Sequence, residues 1–153
     1  ISRCEKVLMR KLLERQIPFY GPTIAKRTKF VSGQSKTSHV PLFSNYVFLF
    51  GDGSHRQTAL ESNCISRVFE VPDGERLTAD LRRVRLLIET GAPVTVEARL
   101  EPGMRVRVKT GSLQGQVGTI VRRKGKEHLV LSVDFLQQGA SVTVDNLEVE
   151  PVD

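Results

Sequence analysis

The sequence predicts an α+β fold in which helices pack on a small antiparallel sheet, followed by a separate all-β domain. Its 153 residues are enough for one ordinary domain or two small ones, and 39% of them are hydrophobic. Apolar residues at helical spacing occur in the first 90 residues, whereas short alternating runs broken by glycines fill the last 53. The predicted organisation is therefore a first domain at 1–90, a linker at 91–100 and a second domain at 101–153.

The predicted helices of the first domain lie at 2–16, 54–62 and 77–88. In the first of them Cys4, Leu8 and Leu12 recur every four residues and define an apolar side. Ser54 is a suitable N-cap for the second helix, and Gly91 ends the third. These helices provide the layer that covers one face of the sheet.

The strands of that sheet are predicted at 23–31, 40–50 and 65–71. The polar loop at 32–38 joins the first two strands, which predicts a β-hairpin. Alternation along the second strand directs Tyr46, Phe48 and Phe50 to one face. Because both faces of this strand are apolar and helices readily cover one of them, the aromatic face needs a cover from the second domain, a second copy or a partner.

The second domain is predicted to be a small all-β barrel. Met104, Val106 and Val108 alternate with basic residues, which is typical of a half-buried strand. Further strands are predicted at 116–121, 129–135, 141–144 and near 147–149. Four or five short strands need closure to protect their edges, and a barrel provides it.

The positive charge is concentrated in the first third of the chain. The formal net charge is +6, and residues 1–50 hold nine basic and two acidic side chains, so 9 − 2 = +7. Residues 51–100 carry −1 and residues 101–153 carry zero. A clustered cationic surface attracts polyanions, so nucleic acid is the first partner to consider, with a solvated basic face as the alternative.

The cysteine and histidine content argues against a disulfide framework, a metal site and an enzyme. Cys4 and Cys64 belong to no CxxC pair, so we expect small core residues in a protein of the reducing cytoplasm. His39, His55 and His128 are isolated, and no hydrolase, zinc-protease or nucleotide-binding motif is present. No apolar stretch approaches the ~18 residues needed to cross a bilayer. We therefore expect no catalysis, cofactor, metal or membrane association.

A glycine-rich stretch begins the second domain, and glycines permit the tight turns and close backbone approaches of a small barrel. This stretch, at 103–121, resembles the KOW motif of NusG-type transcription factors and of some ribosomal proteins. The residues that carry the resemblance are Gly103, Val106, Val108, Gly111, Gly115 and Gly118.

A second motif favours the transcription factors over the ribosomal proteins. Residues 41–48, which read Pro-Leu-Phe-Ser-Asn-Tyr-Val-Phe, are similar to the signature of the NusG amino-terminal domain. With the basic helix before it and the KOW-like stretch after it, the chain is identified as a member of the NusG/RfaH family. The resemblance implies a NusG-type first domain and an SH3-like KOW barrel. The family also has a strand before the first helix, and since this sequence starts at Ile1 beside that helix, we expect that strand to have been truncated.

The resemblance implies a transcription elongation or antitermination factor that binds RNA polymerase. Tyr46 and Phe48, together with Phe43, would form an aromatic pocket for the tip of the polymerase clamp helices. Phe43 can join this pocket only if the chain bends at Ser44. His55 occupies the place of a loop that contacts the opposite side of the polymerase cleft. The non-template DNA strand would be contacted by Arg3, Lys6, Arg10, Lys11 and Asn63.

Through the KOW barrel, the resemblance implies recruitment of a ribosomal protein or of the termination factor Rho. We expect a cytoplasmic monomer. Two alternatives stay open at this stage. An RNA-binding module would use the aromatic residues at 46, 48 and 50 for base stacking, and a KOW-type ribosomal protein would be expected to carry more positive charge. Whether the factor is general or restricted to particular operons, and whether the KOW domain switches fold, is not decided by the sequence.

Overall fold

The computed structural model describes residues 1–145 and 147–153 and has an α+β fold with antiparallel sheets. The chain forms two compact units, one at 1–70 and the other at 71–153. None of the helices in the described part of the chain has the length and apolar character needed to cross a membrane.

The first unit contains two helices and two short antiparallel sheets. In chain order its elements are α1 (Glu5–Glu14), β1 (Phe19–Tyr20), β2 (Thr23–Lys29), β3 (Ser35–Pro41), β4 (Phe48–Leu49) and α2 (Gly53–Leu60). Strand β1 pairs with β4, and β2 pairs with β3. The predicted β-hairpin is therefore confirmed, although its loop is shorter because residues 35–38 have joined the strand.

The core of the first unit lies between helices α1 and α2 and includes a residue that follows α2. Leu8 and Leu12 of α1 are buried together with Ile17, Ala59 and Cys64, and Cys4 packs against this cluster. The apolar spacing in the sequence thus identified the buried side of α1.

The prediction of one continuous strand at 40–50 is wrong. Strand β3 ends at Pro41, and the chain turns before β4 begins at Phe48. The Tyr46 N–H donates to the Phe43 carbonyl at 3.2 Å, and Asn45 adopts a left-handed conformation with φ 73°. Asparagine tolerates that conformation better than most residues, which explains why the chain turns here. The turn also provides the bend at Ser44 that the alternation argument requires.

The predicted strand at 65–71 does not form. Ile65 packs against the core of the first unit, whereas Phe69 is exposed, with the Arg67 guanidinium 4.8 Å from the centre of its ring. The apolar residues of this segment therefore make separate contacts and do not indicate a strand. A strand also needs a hydrogen-bonded neighbour.

The second unit is one helix on one antiparallel sheet. Its elements are α3 (Gly74–Glu89), β5 (Thr95–Glu97), β6 (Met104–Val108), β7 (Val117–Arg123), β8 (Lys126–Val133), a 3-10 turn (Asp134–Leu136), β9 (Gln138–Thr143) and β10 (Val149–Pro151). The strand order is β10-β6-β7-β8-β9-β5. All the strands predicted in the second domain are present, with end points shifted by a few residues.

The sheet curls so that its two ends approach each other. Strands β5 and β6 are separated by only the six residues 98–103, yet β5 pairs with β9 and β6 pairs with β7. Glu97 of β5 also forms an ion pair with Arg123 at the end of β7. The region predicted as a linker at 91–100 therefore contains an edge strand of this sheet.

Helix α3 packs on strands β8 and β9 of the second unit. It buries Leu77, Leu81, Val84 and Leu87. The Arg83 guanidinium donates to the Val117 carbonyl at 2.7 Å, which ties the helix to β7. The division between the compact units lies after residue 70 rather than after the predicted 90, because a helical apolar pattern shows that one face is buried but not which sheet buries it.

Candidate functional site

Phe43 and Phe48 lie inside the first unit. Their side chains are 1% and 8% exposed, and their rings meet edge to face with centroids 6.4 Å apart and planes at 88°. This arrangement is favourable because the positive edge of one ring faces the negative face of the other. The two rings therefore pack against each other inside the unit. Their faces do not form the open aromatic pocket that the sequence predicted.

The accessible aromatic residues of this region are Tyr46 and Phe50. Tyr46 is half-buried in the turn, and Phe50 is exposed directly after β4. The N–H of Asn45 donates to a carboxylate oxygen of Glu5 at 3.2 Å, which ties the turn to the start of α1. The structure thus places Tyr46 beside the basic helix α1. Phe50 is also accessible, but it was not among the predicted site residues.

His55 is part of the structure that begins α2. The Asp52 carboxylate accepts from the N–H groups of Ser54 and His55 at 2.9 and 3.2 Å, and the Asp52 N–H donates to His55 Nδ1 at 3.1 Å. This reciprocal arrangement is a capping box. The hydroxyl of Ser54, followed by the backbone N–H of His55, lowers the pKa of Asp52 from 3.8 to about 2. His55 thus stabilises its own helix, whether or not it contacts a partner.

The predicted nucleic-acid residues comprise three exposed cations, one cation that is hydrogen-bonded within the unit, and Asn63. Arg3, Lys6 and Arg10 are exposed on or just before α1. Lys11 instead donates through Nζ to the Ser62 carbonyl at 2.9 Å. This contact holds the end of α2 next to α1, so the exposed residue Asn63 is brought towards the side of α1 that carries Lys11.

Sequence reasoning missed a second set of cations, on the β2–β3 hairpin. Lys26, Arg27, Lys29 and Lys36 are all exposed. A signal was present in the sequence, because no acidic residue occurs between Glu14 and Asp52. The predicted DNA contacts were assigned to the first helix and to Asn63, whereas these four exposed cations lie on the hairpin.

The four glycines of the KOW-like stretch meet two different physical requirements. A Cβ on Gly103 would lie 2.2 Å from the Ile120 carbonyl oxygen, and one on Gly118 would lie 2.7 Å from that of Val130. Gly111 and Gly115 have φ of 85° and 86°, which side chains disfavour. The valines at 106 and 108 are buried in β6. Each motif position therefore has a structural role in the curled sheet.

No family model matches the sequence, and comparison with curated proteins gives no significant match. Within residues 1–145 and 147–153, no three His, Cys, Asp or Glu side chains come together in a way that could hold a metal ion.

Proposed function

We propose that the protein is a transcription elongation or antitermination factor of the NusG/RfaH type. Its first unit would bind RNA polymerase, and its second unit, as a KOW barrel, would recruit a further partner such as a ribosomal protein or Rho. The factor acts by binding alone, since an added contact that favours the elongating polymerase over the paused one shifts the population between them.

The observation that carries the proposal is the fit of the KOW-like glycines to the second unit. Two of them allow backbones to approach and two allow turns with positive φ, in an antiparallel sheet whose ends are brought together by β5 and β6. These are the requirements of a small barrel built from short strands.

The polymerase contact is assigned to Tyr46. Since the rings of Phe43 and Phe48 are buried against each other, they support the turn from inside rather than offering their faces. A partly exposed tyrosine on a supported turn is a typical interface anchor. The neighbouring cations Arg3, Lys6 and Arg10, with Asn63, would face the non-template DNA strand, and His55 would make a second polymerase contact.

Polymerase binding by the full chain tests this assignment. Tyr46→Ala is expected to weaken binding by about tenfold or more, since loss of an aromatic anchor typically costs at least that much. Phe69→Ala is the matched control, because it removes another accessible aromatic ring of the first unit. In transcription assays, the intact protein should shorten pauses and the Tyr46 variant should not. Equal binding by the two variants, or no binding by the intact chain, would refute the proposal.

The RNA-binding alternative lacks the aromatic stacking surface that it requires. It requires the rings at 46, 48 and 50 to share one face, but Phe48 is buried and a turn precedes it. The ribosomal alternative has a separate test, since a ribosomal protein would co-sediment with ribosomal subunits when transcription is blocked.

A further inference from the structure

The β2–β3 hairpin, which comprises residues 23–41, has a structure suited to a binding role of its own. Its two strands are joined over seven residue pairs and, in the part of the chain that the structure describes, form a sheet of two strands. Only the base of the hairpin is half-buried, and residues 25–37 are exposed. A two-stranded ribbon with both faces in solvent is marginally stable on its own, so a partner that covers it would stabilise it.

Cations occupy both faces of this hairpin. The register places Thr28 opposite Lys36 and Lys26 opposite Ser38, so Lys26 and Lys36 share one face. Arg27 and Lys29 lie on the other face, where Arg27 also donates to the Ser35 hydroxyl at 3.0 Å. In the described part of the chain, none of these four cations lies within ion-pair distance of a carboxylate.

The tip of the hairpin carries two apolar side chains and is held in a defined turn. Phe30 is 50% exposed and Val31 is fully exposed. The Phe30 N–H donates to the Gln34 carbonyl at 2.8 Å, and the Gly33 N–H donates to the Phe30 carbonyl at 3.0 Å. Gly33 adopts φ 84°, which its lack of a side chain permits. Two apolar side chains are therefore presented at the end of a cationic ribbon.

We propose that this hairpin enters the minor groove of double-stranded DNA, with Phe30 and Val31 wedged between base pairs so that the duplex bends. Phosphates line both walls of a groove, which fits a ribbon with cations on both faces, whereas a membrane or a flat protein surface faces only one. Apolar side chains inserted from the minor groove unstack neighbouring pairs and kink DNA. In an RNA duplex, by contrast, the minor groove is wide and shallow.

The charge part of the proposal is tested with the full chain and a free DNA duplex of about 30 base pairs, without polymerase. Lys29→Gln with Lys36→Gln is expected to weaken binding by about tenfold or more and to reduce the slope of log K against log salt by about 2. Lys124→Gln with Lys126→Gln is the matched control, because it removes the same charge from exposed positions of the second unit. The control should retain nearly the full affinity.

The wedge is tested by energy transfer between dyes at the two ends of the same duplex. The intact protein should bring the ends closer, and Phe30→Ser with Val31→Ser should abolish this bending while leaving the salt slope unchanged. Phe135→Ser, which removes an exposed phenylalanine from the second unit, should bend DNA like the intact protein. A duplex with a central mismatch should bind more tightly than a paired one, because its bases are easier to unstack.

Several results would overturn the inference. These are equal loss of affinity in the hairpin and control variants, absence of bending, and binding to duplex RNA or to phosphatidylserine vesicles that is as tight as binding to DNA. The inference goes beyond the polymerase contact, and its test contains no polymerase. A negative result with DNA would therefore leave the assignment of Tyr46 standing, and loss of the Tyr46 contact would leave the hairpin result unchanged.

Discussion

The guanidinium of Arg123 lies against the buried carboxylate of Glu97, with Nη1 2.7 Å from Oε2 and 2.6 Å from Oε1. Only the first of these contacts has hydrogen-bond geometry, so Oε1 contributes to the ion pair without accepting a hydrogen bond. The hydrogen bond to Glu97 is the main reason that the pKa of Arg123 is raised above its ordinary value. A further carboxylate oxygen, from Glu101, lies 3.5 Å from Nη2. These contacts fix the approach of β5 to β7.

Replacement of this arginine is expected to destabilise the second unit. Arg123→Met leaves the Glu97 carboxylate buried without its cation, which costs about 3–5 kcal/mol for fully enclosed pairs. Since the arginine side chain is 35% exposed, a loss of about 2 kcal/mol is expected. Urea unfolding measures it, with Arg122→Met as the exposed control expected to stay within about 0.5 kcal/mol. Equal midpoints for the two variants would contradict this role of the ion pair.

The N-cap of α2 should make stability depend on pH in the acid range. The pKa of Asp52 is lowered to about 2 in the folded protein, from 3.8. A lowered carboxylate pKa stabilises the fold above about pH 4, and this contribution is lost as the pH falls from about 4 to about 2. Asp52→Asn keeps a good cap without the charge. The difference in melting temperature between the two proteins should therefore shrink over that range, and a constant difference would show that the charge has no role.

The packing of α3 predicts different effects at two adjacent leucines. Leu87 is completely buried, whereas Leu86 is exposed on the same helix. Leu87→Ala is expected to lower the free energy of unfolding by about 2–5 kcal/mol, and Leu86→Ala by less than about 1 kcal/mol. The free energies of unfolding of the two variants are measured by chemical denaturation, monitored by circular dichroism. If both variants unfold at the same denaturant concentration, the helix does not pack as described.

Two glycine substitutions should change the stability of the protein in opposite directions. A Cβ on Gly118 would lie within 2.9 Å of the Val130 carbonyl oxygen and of the Leu129 and Leu131 side chains, so Gly118→Ala should cost about 1–3 kcal/mol. Gly53 begins α2 and has open space around it, so Gly53→Ala should stabilise by about 0.5 kcal/mol. Thermal melts of both variants provide the measurement. A stabilised Gly118 variant would mean that the strands are further apart than described.

Local patterns predicted the helices and the hairpin well because the information lies within a few residues. The spacing of Leu8 and Leu12 identified the buried side of α1, and Gly91 ends α3 with a positive φ of 77°. The partner of an element is not encoded locally. The helix at 74–89 was therefore placed in the first domain, and β5 was hidden in a short segment that resembled a linker.

The candidate site was predicted less well, for a related reason. Alternation assumed an uninterrupted strand through Tyr46 and Phe48, but the left-handed Asn45 turns the chain and Phe48 is buried against Phe43. The charge of the first third was read correctly as a cationic surface, yet only the strand register shows that both faces of the hairpin carry it. Register depends on pairing between distant residues and is not visible from residue types alone.

The pairing of β5 with β9 and of β6 with β10 has a consequence for synthesis of the protein. Glu97 meets Gly139, 42 positions later (139 − 97), and Val106 meets Pro151, 45 positions later (151 − 106). Such distant ladders form slowly, and neither can form until its second strand has left the ribosome. In the described part of the chain, strands β1 to β4 pair only with one another, so these pairs can form while translation continues. In the cell, the part that carries the positive charge is therefore expected to be ready before the sheet that follows it has closed.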